Sequence, residues 1–136
     1  MAAEHVEQAP HAFARATREG NLQALLELFV ADIALWTDGG GKALAARNII
    51  RGADRVAGFM VGTMSRAAEP PESTRVQVNG QPGLAVWIAG ELTRIYTFDV
   101  DAHGRIQAIY GVLNPDKLRF AMERWVDVAR RVTHER

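Results

Sequence analysis

Residues 38–42 read Asp-Gly-Gly-Gly-Lys, and this stretch combines residue types that could do chemistry. Three consecutive glycines tolerate positive φ, so their N–H groups can turn to one side as an anion-binding nest, with the charge of Lys42 beside it. Asp38 could instead act as a general base, provided its carboxylate reaches a bound substrate. The run is not a nucleotide-binding loop. Trp36 stands where the first glycine of that motif belongs, and Ala43 replaces its serine or threonine. From composition alone, a solvated turn with an exposed Asp38–Lys42 pair is the better account, because glycine runs mostly punctuate loops.

A second group is aromatic. Trp36, Trp87, Tyr96 and Tyr110 fall on expected strands and, with Phe13 and Phe59 from helices, are candidates to line an apolar ligand pocket. The competing account makes them core or interface aromatics. Tyr96, Phe98, Tyr110 and Val112 read as one shared face, with Asp99 pointing away from it. The histidines offer less. His5, His11 and His134 are near the ends, His103 is in a turn, and no pair has metal-ligand spacing or a serine–aspartate context. Neither a metal nor a cofactor is expected. Arg119, Arg124, Arg130 and Arg131 interleave with Glu123 and Asp127, the pattern of a solvated helix face.

These residues must be positioned by regular elements. A helix is expected over 10–19, starting at Pro10 and turning Phe13 and Ala16 inward, with Gly20 as its stop. Asn21 can cap a second helix whose apolar stripe is Leu22, Leu25, Leu26 and Phe29. A strand through Ile33 and Leu35 ends at the glycines, and 43–50 returns as a weaker strand. A helix from Ala53 should turn Val56, Phe59, Met60 and Met64 to one face. Beyond Pro70-Pro71, strands at 74–79, 84–89, 92–100 and 105–113 read as an antiparallel meander. Its turns fall at Asn79-Gly80 with Pro82-Gly83, at Gly90-Glu91, and at 101–104. Asn114, Pro115 and Asp116 then open a closing helix with Leu118, Met122, Trp125 and Val132 on its apolar face. Helices followed by a meander and a last helix predict an α+β fold, with the helices on the concave face of a curved, cone-shaped antiparallel sheet.

The chain has 136 residues, enough for one domain spanning 1–136 and too few for a second full core. Sixteen basic residues balance sixteen acidic ones, so nothing favours direct nucleic-acid binding. Cysteine is absent, which excludes disulfides and thiol chemistry and suits a reducing cytoplasm. No apolar run suggests a signal peptide or a membrane span, so a cytoplasmic location is expected.

Gly20-Asn21-Leu22-x-Ala24-Leu25, Ala31-Asp32, and Ile50-x-Gly52 leading a helix together resemble the nuclear-transport-factor-2-like superfamily. That group includes SnoaL-like polyketide cyclases and ketosteroid isomerases. Two motifs are more specific. Asp38-Gly39-Gly40-Gly41-Lys42 and Asn114-Pro115-Asp116-Lys117-Leu118 resemble signatures of the SnoaL-like C-terminal domain in a group of extracytoplasmic-function sigma factors. The stretches Ile50-Arg51-Gly52-Ala53-Asp54-Arg55-Val56 and Val78-Asn79-Gly80-Gln81-Pro82 are similar to that group as well.

The resemblance implies a non-enzymatic pocket domain that contacts sigma domains, in cis or in trans, and takes a small apolar ligand. Asp38, Gly39, Gly40, Gly41, Lys42, Asn114, Asp116 and Lys117 would form the contact. This sequence contains no sigma domains of its own. The alternative implied is an isomerase or cyclase, with Asp38 as base and Tyr96 as electrophilic donor. Against ketosteroid isomerases, which use an Asp base with a Tyr and a protonated Asp as donors, the base falls on Thr37, the Tyr on Phe13 and the Asp donor on Tyr96. That constellation does not carry over intact. A homodimer through the exposed sheet face is a third reading.

Overall fold

The structure is a computed structural model, and it describes residues 2–38, 48–65, 71–78 and 80–112. Helix α1 (Ala2–Glu19) begins well before the expected start and carries Pro10 inside it. A proline there forfeits one backbone hydrogen bond. Ala9, Phe13, Ala16 and Thr17 are all buried, however, and that continuous stripe outweighs the local preference. The helix stops at Gly20, whose φ is 67°. Gly20 N–H donates to the Thr17 carbonyl at 3.1 Å and Asn21 N–H to the Ala16 carbonyl at 2.9 Å, the paired bonds of a Schellman closure. The Asn21 side chain then accepts from Ala24 N–H at 3.0 Å and starts α2 (Leu22–Leu28).

Phe29, expected on the stripe of that second helix, is instead the first residue of β1 (Phe29–Asp38). Strand β2 (Asn48–Arg51) pairs with it, and Gly52 leads into α3 (Ala53–Ser65). Val56, Ala57 and Met60 of α3 are buried, while Phe59 is 37% exposed. Phe59 is therefore not a pocket residue. A buried stripe through 56, 57 and 60 leaves position 59 on its outer flank, one step past the face that the sheet covers. The Met64 side chain lies outside the described set.

The meander follows as β3 (Glu72–Val78), β4 (Gln81–Ile88), β5 (Glu91–Val100) and β6 (Ile106–Val112). Pro82 and Gly83 lie within β4, opposite Gln77 and Val76, so the turn before it is tighter than expected. Ala89 and Gly90, with φ of 53° and 82°, make the next turn, both in the left-handed region that such two-residue hairpins need.

The loop from β5 to β6 is organised by Asp101. Its Oδ1 accepts from His103 N–H at 2.9 Å and Arg105 N–H at 3.0 Å. The bond from Arg105 leads in holding the carboxyl below its ordinary pKa. A depressed folded-state pKa means a contribution that is present above the unfolded value, near 4, and is lost as pH falls through the folded one. Thermal melts between pH 6 and 2 should therefore show a small acid-side loss in the wild type. Asp101→Asn should remove that part of the slope, and an unchanged slope would show that the loop does not depend on this charge.

Strand order is β2-β1-β6-β5-β4-β3. Every neighbouring pair is antiparallel except β1 with β6, which run parallel, so the sheet is mixed where an antiparallel one was expected. The fold class is nonetheless α+β as expected. The three described helices pack on one face. Phe13, Leu25, Val56 and Met60 meet Ile33, Leu35, Leu84, Val86, Tyr96, Phe98, Ile106 and Ile109 in a single apolar core. A smaller cluster of Val76, Ala85 and Ile95, flanked by Trp87, Leu92 and Val112, occupies the outer face.

Candidate functional site

The register sorts the aromatic candidates onto two sides. Tyr96 lies opposite Leu84 and Gly111, and Phe98 opposite Ile109, all on the helix-covered face. Phe13 of α1 closes over them, with ring centroids 6.0 Å from Tyr96 and 5.0 Å from Phe98, both edge to face. Tyr110 lies opposite Thr97 and Trp36, and Val112 opposite Ile95. Neither shares a face with Tyr96, because the pairing sets Gly111 rather than Tyr110 beside that ring. Trp36 and Tyr110 stack on the outer face at 6.5 Å, with the Arg51 guanidinium 5.7 Å from the Trp36 ring centroid. Trp87 also belongs to the outer face, where its Nε1–H donates to Thr74 Oγ1 at 3.2 Å. Of the six expected pocket residues, only Phe13 and Tyr96 meet on the helix-covered face. Trp36, Trp87 and Tyr110 are separated from them by the thickness of the sheet, and Phe59 faces outward.

Tyr96 is 1% exposed, and burial raises its pKa, opposed by the charge and hydrogen bond of Arg94. The phenol is therefore neutral at ordinary pH. Its Oη accepts from Arg94 Nη1 at 3.1 Å. Its ring lies so close to Gly111 that a Cβ there would sit 3.0 Å from Cε1. Thr37, on the neighbouring strand, is buried at the same place. A cavity of about 30 Å³ opens beside this core between α1 and the β3–β4 strands, lined by Phe13, Thr17, Arg18, Ser73, Leu84 and Val86. It has room for a water or two, far short of a pocket for a whole ligand.

Parallel pairing of β1 with β6 has a further result. Thr37 lies beside Gly111 and Asp38 beside Val112, so both strands end at the same end of the sheet. The DGGGK run continues directly from one and the segment that leads to NPDKL from the other. Gly39, Gly40, Gly41, Lys42, Asn114, Asp116 and Lys117 lie outside the described residues, as does the Asp38 side chain.

No family model matches the chain, and no curated protein matches it. Solved structures do. The extracytoplasmic function sigma factor SigJ of Mycobacterium tuberculosis superposes with a TM-score of 0.64 at 25% identity, over 84% of this chain and 44% of that one. The chain thus corresponds to less than half the length of that sigma factor. A SnoaL-like protein of unknown function from Burkholderia thailandensis gives 0.62 at 11% identity, over 82% and 96% of the two chains. The chain has the SnoaL-like, NTF2-like fold. An epoxide hydrolase of the LEH-like kind from M. tuberculosis shares it at a TM-score of 0.55 and 19% identity, over 89% and 91% of the chains. At those two lower identities the likeness is one of fold alone.

In this SnoaL-like frame the isomerase constellation is not assembled. The position compared with the base is Thr37, buried on the core face, and the position compared with the catalytic tyrosine is Phe13, which has no hydroxyl. Tyr96 is on the core face as that comparison needs, but its partner is a cation, Arg94. Sequence reasoning missed Arg94. The signal was available: it stands two residues before Tyr96 on a strand, and that spacing puts both on one side. Among the described residues, no helix is long and apolar enough to cross a membrane.

Proposed function

We propose that this SnoaL-like domain is a non-enzymatic regulatory module that contacts the promoter-binding domains of an extracytoplasmic-function sigma factor, in cis or in trans. The observation that carries this reading is the parallel β1–β6 pairing, which starts the DGGGK run and the approach to NPDKL from adjacent strand ends. Two motifs far apart in sequence thus follow from neighbouring strand ends, and in this reading they serve one contact surface. The likeness to SigJ over 84% of this chain supports the choice of partner. Three glycines lose much backbone entropy when ordered, and a partner that hydrogen-bonds to their main chain would offset that cost.

Titrating the domain with purified sigma domains tests the reading. Asp38→Ala and Lys42→Ala should each weaken binding roughly tenfold, the scale of a lost charge-assisted contact, while thermal melts stay unchanged. Absence of binding, or affinity undiminished in both variants, would remove the contact role.

A further inference from the structure

We propose that Arg94 and Tyr96 form the recognition end of a carboxylate site, so that the ligand of the helix-covered face is an apolar monocarboxylate rather than a purely apolar molecule. This deepens the ligand side of the regulatory reading, but it rests on Arg94 and not on the sigma contact.

Arg94 is half-buried on β5, and among the described residues its one hydrogen bond goes from Nη1 to the neutral Tyr96 phenol. No carboxylate pairs with it among the described residues. Its Nε–H is sealed from water and has no acceptor among the described residues. A guanidinium that keeps a buried, unsatisfied N–H carries a desolvation cost that nothing described in the protein returns. With Nη1 committed to Tyr96, the unused edge is the one formed by Nε and Nη2. That edge is a planar two-donor fork, and it matches the two oxygens of a carboxylate. The Tyr96 hydroxyl accepts from Arg94, and its own proton has no described acceptor, so it can donate to the same ligand.

A second buried polar atom has no described partner. It is Oγ1 of Thr17, a residue 4% exposed that lines the cavity together with Val86 and has no partner for this atom among the described residues. Val86 thus links the two: it lines the cavity with Thr17, Phe13 and Leu84, and it pairs across the strands with Arg94, which is itself outside the lining. Arg18 also lines the cavity but is exposed, so Arg94 is the cation of the buried end, and one cation with two hydroxyls suits a monoanion. The cavity admits only the start of such a ligand, so binding must move α1 away from β3 and β4.

The test uses the whole chain, with hexanoate and octanoate as probes and hexanol and octanol as matched neutral controls. Calorimetry and thermal shift should show binding by the carboxylates, tighter for octanoate, and at least tenfold weaker binding by the alcohols. Arg94→Met should abolish carboxylate binding yet melt at or above the wild type without ligand, because it removes an unpaired buried charge. Arg94→Lys keeps the charge but loses the fork, and should weaken binding at least tenfold. It decides the matter if the Met variant does not fold. Tyr96→Phe should weaken binding several-fold. Alcohols that bind as well as the acids, an Arg94→Lys variant that binds like wild type, or no carboxylate binding at millimolar concentration would overturn the proposal. Sigma-domain titrations run in parallel separate the two readings, since either interaction can fail while the other survives.

Discussion

Phe13→Ala is expected to destabilise the domain by about 3–5 kcal/mol, the range for deleting a buried phenylalanine. The ring is fully buried and lies against Phe29, Tyr96 and Phe98, with centroids 6.3, 6.0 and 5.0 Å away. It is the main link between α1 and the centre of the sheet, so its loss removes transfer energy and leaves a void that three rigid rings cannot fill. Phe13 also lines the 30 Å³ cavity, so the void would join an existing opening. Water entering there would favour the lower end of the range. Denaturant melts should show a fall in midpoint with an unchanged slope. A loss under about 1 kcal/mol would mean that α1 does not close the core as described.

The second large effect is at Gly111. An added methyl would sit 3.0 and 3.2 Å from Cε1 and Cδ1 of Tyr96 and 3.5 Å from Cγ2 of Thr37. The ring cannot retreat freely, because Phe13 packs on it and Arg94 holds its hydroxyl. Gly111→Ala is therefore expected to cost about 1–3 kcal/mol through overpacking. A double-mutant cycle with Tyr96→Leu separates this cause from backbone effects, because a smaller side chain at 96 should recover most of the loss. No recovery would place the strain elsewhere. The same substitution should weaken carboxylate binding, since it shifts the phenol that orients Arg94.

Local signals read well from the sequence. Asn21 as a cap, Gly20 as a stop, α3 from Ala53, and four meander strands all follow from residue type and spacing, and the strand ends fall within a few residues of the observed ones. Two misses in the elements have non-local causes. Pro10 looked like a first-turn residue because the burial of Ala9 depends on what α1 packs against. The parallel joining of β1 and β6 has no local signature, since it depends on residues near 35 meeting residues near 109.

The site was half legible. Tyr96 and Phe13 were found by type, but alternation within one strand cannot say which residue lies opposite on the next. Tyr110 was therefore placed on the wrong face. For Trp36 the parity was readable, because it alternates with the inward Ile33 and Leu35. Arg94 is not singled out in the sequence reading: its spacing from Tyr96 is legible there, but the lack of an acceptor for its Nε–H among the described residues is not.

The strand order also constrains how the polypeptide is made. β6 lies between β1 and β5, and it is the last of the described strands to be synthesised. Until it emerges, the nascent chain holds two sheet pieces with no strand pairing between them, the β1–β2 pair and the β3–β4–β5 meander, and α1 packs against the second. Each exposes an unpaired edge where β6 will dock. Closure is one late, long-range event, and such topologies fold more slowly than helical bundles. The interval before it is when a chaperone, or a second nascent chain offering its own β6, would find these edges open. A chain truncated just before residue 106 should therefore be protease-sensitive, and a chain that includes β6 should be abruptly more resistant.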